Sequence, residues 1–407
     1  MVSALEKKGV LTLPTFGLEC GSTLHSVPVV YKTWGTLNAR RNNVMVICHA
    51  FTGCTDVDEW WGTLMGPGKA FDPAYFFIFC ANVLGSPYGT ASPVSINPST
   101  SKRYGPDFPP TTIRDDVRLH KIVLDYLGVS SIAVVIGGSM GGMTVLEWPL
   151  CFPGFVKRII PMATCSRQSA WCIAWGEAQR QTIYSDAAFE GGYYSQQPST
   201  GLAAARMAGL LTYRSRDSYE QRFGRRTTAP ILSPTTTCEA SPELQTIRLN
   251  QDREVASKLA NGVGRLLFSA QSYLRYQGAK FAAKFDANCY IHITHKMDTH
   301  DITRDRVSPE LRDESEALSR VLSTMPPNPL VISIDTDGLC PPQEQKALAN
   351  GIDGAELAVI SSLAGHDGFL VECEMINAIV VEYLRRELCQ FYDANSDKRM
   401  VIDGTVV

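Results

Sequence analysis

The chain has 407 residues, a net charge of −3 at pH 7 and 44% hydrophobic residues. This near-neutral balance argues against a surface built for nucleic acid or another polyanion, and the length suits one large α/β core carrying an inserted subdomain. No run reaches the roughly 18 to 20 apolar residues of a membrane span, and Met1-Val-Ser-Ala-Leu-Glu-Lys-Lys-Gly9 lacks the apolar centre of a signal peptide, so a soluble cytoplasmic protein is expected.

The first 165 residues alternate short apolar runs with polar or helical segments. Strands are predicted at Val27–Trp34, Val44–His49, Tyr75–Val83, Ile132–Ile136 and Val156–Met162. Between them, Thr112 to Leu127 places Ile113, Val117, His120, Val123, Leu124 and Leu127 at helical spacing, with Gly128 as the stop. Alternation of this kind predicts an α/β fold with a mainly parallel central sheet covered by helices. The fourth predicted strand carries the most informative feature: Gly137-Gly138-Ser139-Met140-Gly141 follows Ser130-Ser-Ile-Ala-Val-Val-Ile136 and precedes Met143-Thr-Val-Leu-Glu-Trp148. A serine between glycines at a strand-to-helix turn reads as a nucleophile elbow, in which glycine relieves the crowding and the amide of Met140 points at any oxyanion formed there.

From Cys165 to about Met325 helical periods rich in Ala, Gln and Arg replace the strand signal, interrupted by a polar stretch with Pro230, Ser233-Pro-Thr-Thr-Thr237 and Pro242 that reads as a surface loop. Strand signals return at Leu330–Ile334 and Ala355–Ser361, and an amphipathic segment at Met375–Leu388 closes the pattern. One sheet interrupted by a helical lid accounts for this order: core over 1–165, lid over 166–325, core again over 326–407, with no internal repeat.

A serine hydroxyl needs a base, and the base needs an orienting group. Ile332-Ser-Ile-Asp-Thr-Asp337 places Asp335 and Asp337 at the carboxyl end of a strand, with Asp337, last before the turn, the better placed. His366, in Gly365-His-Asp-Gly368, follows the next strand at the same edge. Serine, aspartate, histidine is the chain order of the α/β-hydrolase fold. A second oxyanion donor is expected from His49-Ala-Phe51-Thr-Gly53, after the strand Val44–Cys48, with Phe51 as the candidate amide. Such a triad fits acyl transfer to water as well as to an alcohol, so a serine hydrolase or thioesterase competes with a transferase, and a noncatalytic binding protein is the remaining alternative.

The twelve cysteines contain no C-x-x-C pair, and most lie in apolar segments, as buried thiols in a reducing compartment would. His292, His295 and His300, near Asp298 and Asp301, are the one cluster resembling metal ligands, but their spacing fits no standard zinc pattern and no metal is expected.

Taken together, the elbow, His49-Ala-Phe-Thr-Gly53, Asn82-Val-Leu-Gly-Ser-Pro-Tyr-Gly89, Thr111-Thr-Ile-Arg-Asp115, Ser272-Tyr-Leu-Arg-Tyr-Gln277, Phe285-Asp-Ala-Asn288 and Gly365-His-Asp367 resemble the homoserine O-acetyltransferase family, including its fungal members. They are also similar to serine O-acetyltransferases of the same fold and to deacetylcephalosporin C acetyltransferases. The resemblance implies Ser139 as nucleophile, Asp337 and His366 as triad partners, Arg206 and Tyr213 as substrate-binding residues, and Asp367 as the holder of the substrate amino group. It further implies acetyl-CoA as co-substrate with no permanently bound cofactor, a Ser139 acetyl-enzyme with ping-pong kinetics, O-acetyl-L-homoserine as a product for methionine biosynthesis, and a homodimer. Arg180 and Arg275 are further arginines suited to a carboxylate. Phe51 stands where the family loop usually has leucine, and the polar lid insertion is longer than usual.

Overall fold

The computed structural model describes residues 6–228 and 267–392. Eight strands form one sheet: β1 (Lys7–Gly17), β2 (Thr23–Trp34), β3 (Val44–Cys48), β4 (Phe77–Ala81), β5 (Ile132–Gly138), β6 (Val156–Met162), β7 (Leu330–Ile334) and β8 (Glu356–Ile360). Their order is β1-β2-β4-β3-β5-β6-β7-β8. The pairs β1/β2 and β2/β4 are antiparallel and every pair from β4/β3 onward is parallel. In β3, Val44, Val46 and Cys48 join one apolar cluster while Met45 and Ile47 join a second. A strand buried on both faces needs helices on both sides, which is why it reads as a continuous apolar run.

Register lines up the site. Cys48 pairs with Gly137, Gly138 with Met162, Met162 with Ile332, and Ile334 with Ile360. The loops after β3, β5, β7 and β8 therefore leave the sheet at one edge, where open α/β sheets build their sites.

Between β3 and β5, a short helix α1 (Val57–Trp61) precedes β4, and α2 (Ile113–Tyr126) precedes β5. The latter starts where the sequence places it because Thr112 and Asp115 form a capping box: the Thr112 hydroxyl accepts from the Asp115 amide and the Asp115 carboxylate accepts from the Thr112 amide. After β5 comes α3 (Met140–Cys151), longer than the predicted Met143–Trp148 run and containing Pro149. The cover contributes α4 (Ala170–Tyr184), α5 (Ser199–Tyr213), α6 (Arg216–Arg222), α7 (Ser269–Ala282) and α8 (Ala287–Asp298). Its apolar faces supply Ile183, Leu202, Ala205, Phe285, Tyr290 and Ile293 to a third cluster, which closes over Phe51, Val83, Met140 and Met143 of the core. The cover thus packs on the loops that carry the candidate chemistry.

Two differences from the sequence reading stand out. β1 is unforeseen because it lies at the sheet edge with Val10 exposed and Pro14 within it, which breaks up the pattern of the residues it turns inward, Leu11, Leu13 and Phe16. The span 166–325 also ends in core structure, since Val321, Leu322 and Met325 pack in the same cluster as Val331 and Leu348. The predicted polar loop at Pro230, Ser233–Thr237 and Pro242 lies outside the described residues.

Candidate active site

The elbow begins with crowding. A methyl group on Gly141 would sit 2.1 Å from the Cys48 carbonyl oxygen, and one on Gly137 would sit 2.7 Å from the same atom. Only glycine lets β3 approach the turn this closely. Ser139 itself adopts φ 58°, ψ −125°, a conformation that costs a non-glycine residue on the order of 1–3 kcal/mol. Hydrogen bonds hold it there: its amide donates to the Met162 carbonyl at 3.0 Å and its carbonyl accepts from the Thr164 hydroxyl at 2.8 Å. Because Met140 opens α3, its amide has no acceptor within the helix and lies at the positive end of the helix dipole.

The sequence-predicted partners converge on this serine. His366 Nε2 lies 2.8 Å from Ser139 Oγ, and His366 Nδ1 lies 2.7 Å from Asp337 Oδ2. The other Asp337 oxygen accepts from the amides of Leu339 and Cys340, both at 2.8 Å. With one oxygen committed to amides and the other to the ring, the carboxylate fixes the imidazole's tautomer and orientation. Burial opposes the charged form of His366, but the Asp337 carboxylate, aided by Asp367, outweighs it and holds the ring above the ordinary histidine range. Asp335 is excluded from this role: its carboxylate accepts from the Ser362 amide at 3.0 Å.

Ser139 and His366 line a cavity together with Phe51, Arg206, Tyr213 and Asp367. The Arg206 guanidinium lies over the rings of Phe281 and Tyr213, at 4.9 and 5.5 Å from their centroids, which holds it at the cavity wall. Asp367 is already partnered, because Arg214 Nε stands 2.7 Å from its Oδ2. Burial pushes the Asp367 carboxyl up, while Arg214, His366 and Arg206 pull it down, and burial prevails. Arg214 was not singled out by sequence; its place directly after Tyr213 was the available signal. Trp175 and Gln179, also missed, line the cavity from α4 at four-residue spacing.

Neither alternative arginine reaches the cavity wall. Arg180 is buried against Asp298 at 2.8 Å and Glu177 at 3.0 Å, and Arg275 is exposed on α7. The histidines near Asp298 are engaged elsewhere, His292 with the Thr111 hydroxyl at 2.8 Å and His300 with the Cys165 carbonyl at 3.1 Å. Among the described residues no cluster of potential metal ligands is found, and the cysteines are free thiols.

The fold is shared with known proteins. A family model described as alpha/beta hydrolase fold matches residues 43–372. The chain is 47% identical to the homoserine O-acetyltransferase of Cryptococcus neoformans var. grubii, over 96% of its own length and 90% of the relative's. Identity to the homoserine O-acetyltransferase of Saccharomyces cerevisiae is 44%, covering 97% of this chain and 90% of the other. A crystal structure of homoserine O-acetyltransferase from Bacillus anthracis superimposes with a TM-score of 0.76 at 26% identity, covering 94% of this chain and 98% of that one. A crystal structure of an esterase also superimposes with a TM-score of 0.76, at 25% identity, covering 93% and 100%.

Proposed function

Because this chain belongs to the homoserine O-acetyltransferase family, within the α/β-hydrolase fold, we propose that it moves an acetyl group from acetyl-CoA to the hydroxyl of L-homoserine. The observation that carries the reading is a serine, histidine and aspartate in hydrogen-bonded series, opening into a cavity that also holds Arg206 and Asp367. In the first step His366 takes the Ser139 proton as Oγ attacks the thioester carbonyl, and the amides of Met140 and Phe51 receive the oxyanion. Collapse of the tetrahedral centre breaks the carbon–sulfur bond, and His366 returns its proton to the CoA thiolate.

In the second step homoserine binds with its carboxylate on the fork of Arg206 and its ammonium at Asp367, beside Tyr213. His366 removes the proton from the substrate hydroxyl as it attacks the acetyl-enzyme; the bond from the acetyl carbon to Ser139 Oγ then breaks, His366 returns the proton to Oγ, and O-acetyl-L-homoserine leaves, an activated ester suited to methionine biosynthesis. The apolar cover favours this outcome over hydrolysis because it limits water at the acyl group. All of the groups this chemistry requires are side chains and amides of the protein, so the reading calls for no resident cofactor and takes acetyl-CoA as a co-substrate. Free thiols fit work in the reducing cytoplasm, and a homodimer is the assembly the family resemblance implies.

The test is thiol release from acetyl-CoA with homoserine, serine, deacetylcephalosporin C or no acceptor. Release that needs homoserine, with reciprocal plots that stay parallel as homoserine is varied, supports the reading. Steady release without an acceptor identifies a thioesterase instead.

A further inference from the structure

His49 belongs to a motif noted in the sequence, yet it makes no contact with Ser139 or His366 among the bonds described above. Its ring is buried, with 1% of its surface exposed. The Val83 amide donates to Nε2 at 3.2 Å, which leaves the ring proton on Nδ1. Nδ1 lies 2.9 Å from the Ala50 carbonyl oxygen, and that same oxygen accepts from the Gly53 amide at 2.9 Å.

The Ala50 carbonyl and the Phe51 amide are two ends of one peptide unit. A trans peptide is planar, so its C=O and N–H point in opposite directions, and fixing the carbonyl fixes the aim of the amide. Donation to the carbonyl also polarises the unit and strengthens its N–H as a donor.

The partner of the ring is equally constrained. On one side of Val83, the Asn82 carbonyl lies 3.1 Å from His120 Nε2, and the Asn82 side chain accepts from the Thr55 amide at 2.9 Å. On the other side, Leu84 donates its amide to Asp116 at 2.8 Å and accepts from Lys296 at 2.7 Å. The Val83 amide is thus held in place from both sides and sets the tautomer of His49.

We propose that His49 is a positioning residue of the oxyanion hole: its Nδ1–H grips the Ala50 carbonyl and thereby aims the Phe51 amide at the tetrahedral centre on Ser139. The proposal rests on Ser139 as nucleophile and Phe51 as donor, and is independent of which acceptor takes the acyl group. Its test avoids turnover. Ethylboronic acid adds to a serine hydroxyl as a tetrahedral anion, whereas S-ethyl-CoA, a thioether, binds without one.

Calorimetric affinities for both probes are measured on the wild type, His49→Asn and His49→Gln. An Asn amide nitrogen falls near the position of Nδ1 and keeps the grip on the carbonyl; a Gln side chain reaches the position of Nε2 and keeps only the bond to Val83. The expected result is a loss of about 100-fold in boronate affinity for Gln, comparable to losing an oxyanion donor, with Asn within a few-fold of wild type and S-ethyl-CoA unchanged in both. Boronate binding by His49→Gln as tight as wild type overturns the proposal, as does an equal loss by both variants for both probes. Failure of the acetyl-transfer reading would appear separately, in wild-type turnover.

Discussion

The two walls of the cavity are held by different means. On the sheet side, Ser139, Met140, Asp337 and His366 sit at strand ends, fixed by register, glycine contacts and backbone hydrogen bonds. On the cover side, Arg206, Tyr213 and Arg214 come from the last two turns of one helix and the residue after it, and they are fixed by ring stacking and an ion pair to Asp367. On the proposed function, the first wall positions atoms that react and the second positions atoms that recognise. Changes in the first should lower kcat, and changes in the second should raise KM for the acceptor.

The largest effect is expected for Ser139→Ala, which should cut thiol release by a factor on the order of 10⁴ or more without lowering the melting temperature. Retained turnover would move the nucleophile elsewhere. Asp337→Asn should lower kcat by about 10⁴, since it loses the carboxylate that orients and stabilises His366. The same variant carries a pH signature. His366 acts as a base only when neutral, and Asp337 favours its charged form, so the acid limb of kcat/KM in the wild type should lie above 6.5. Removing the carboxylate should move that limb to lower pH in a pH–rate profile.

On the recognition side, Arg206→Met should raise KM for homoserine by about 10- to 100-fold, the worth of hydrogen bonds to a charged group, while the rate of Ser139 acetylation stays near wild type. Rapid-quench measurement of the acetyl-enzyme separates the two. A fall in acetylation equal to the rise in KM would erase the distinction between the walls. The smallest effect is expected for Arg214→Leu. Arg214 holds the Asp367 carboxyl down against burial, so without it the carboxyl should protonate at higher pH. KM for homoserine should then rise a few-fold at pH 6 and much less at pH 8, as measured by initial rates.

The same division explains what could be read from the amino-acid order. The sheet wall was legible because each of its parts has a local signal: a glycine-flanked serine after β5, an aspartate closing the apolar run of β7, a histidine between glycines after β8. Strand ends bring such residues together by the rules of the fold. In the cover wall Arg206 and Tyr213 were legible only through resemblance to a family and Arg214 not at all, because stacking of Arg206 on Phe281 and pairing of Arg214 with Asp367 join residues 75 and 153 positions apart, for which no spacing rule exists. β1 escaped for a related reason, since its pairing with β2 leaves no local mark and its inward residues Leu11, Leu13 and Phe16 are interrupted by Pro14.

The Asp116–Lys296 pair, at 2.7 Å with both side chains fully enclosed, ties α8 of the cover to α2 of the core across 180 residues of chain. Each charge would cost several kcal/mol to leave buried without the other. Lifting α8 off α2 would strand one charge or both, so this part of the cover is expected to come away from the core in one step and not residue by residue.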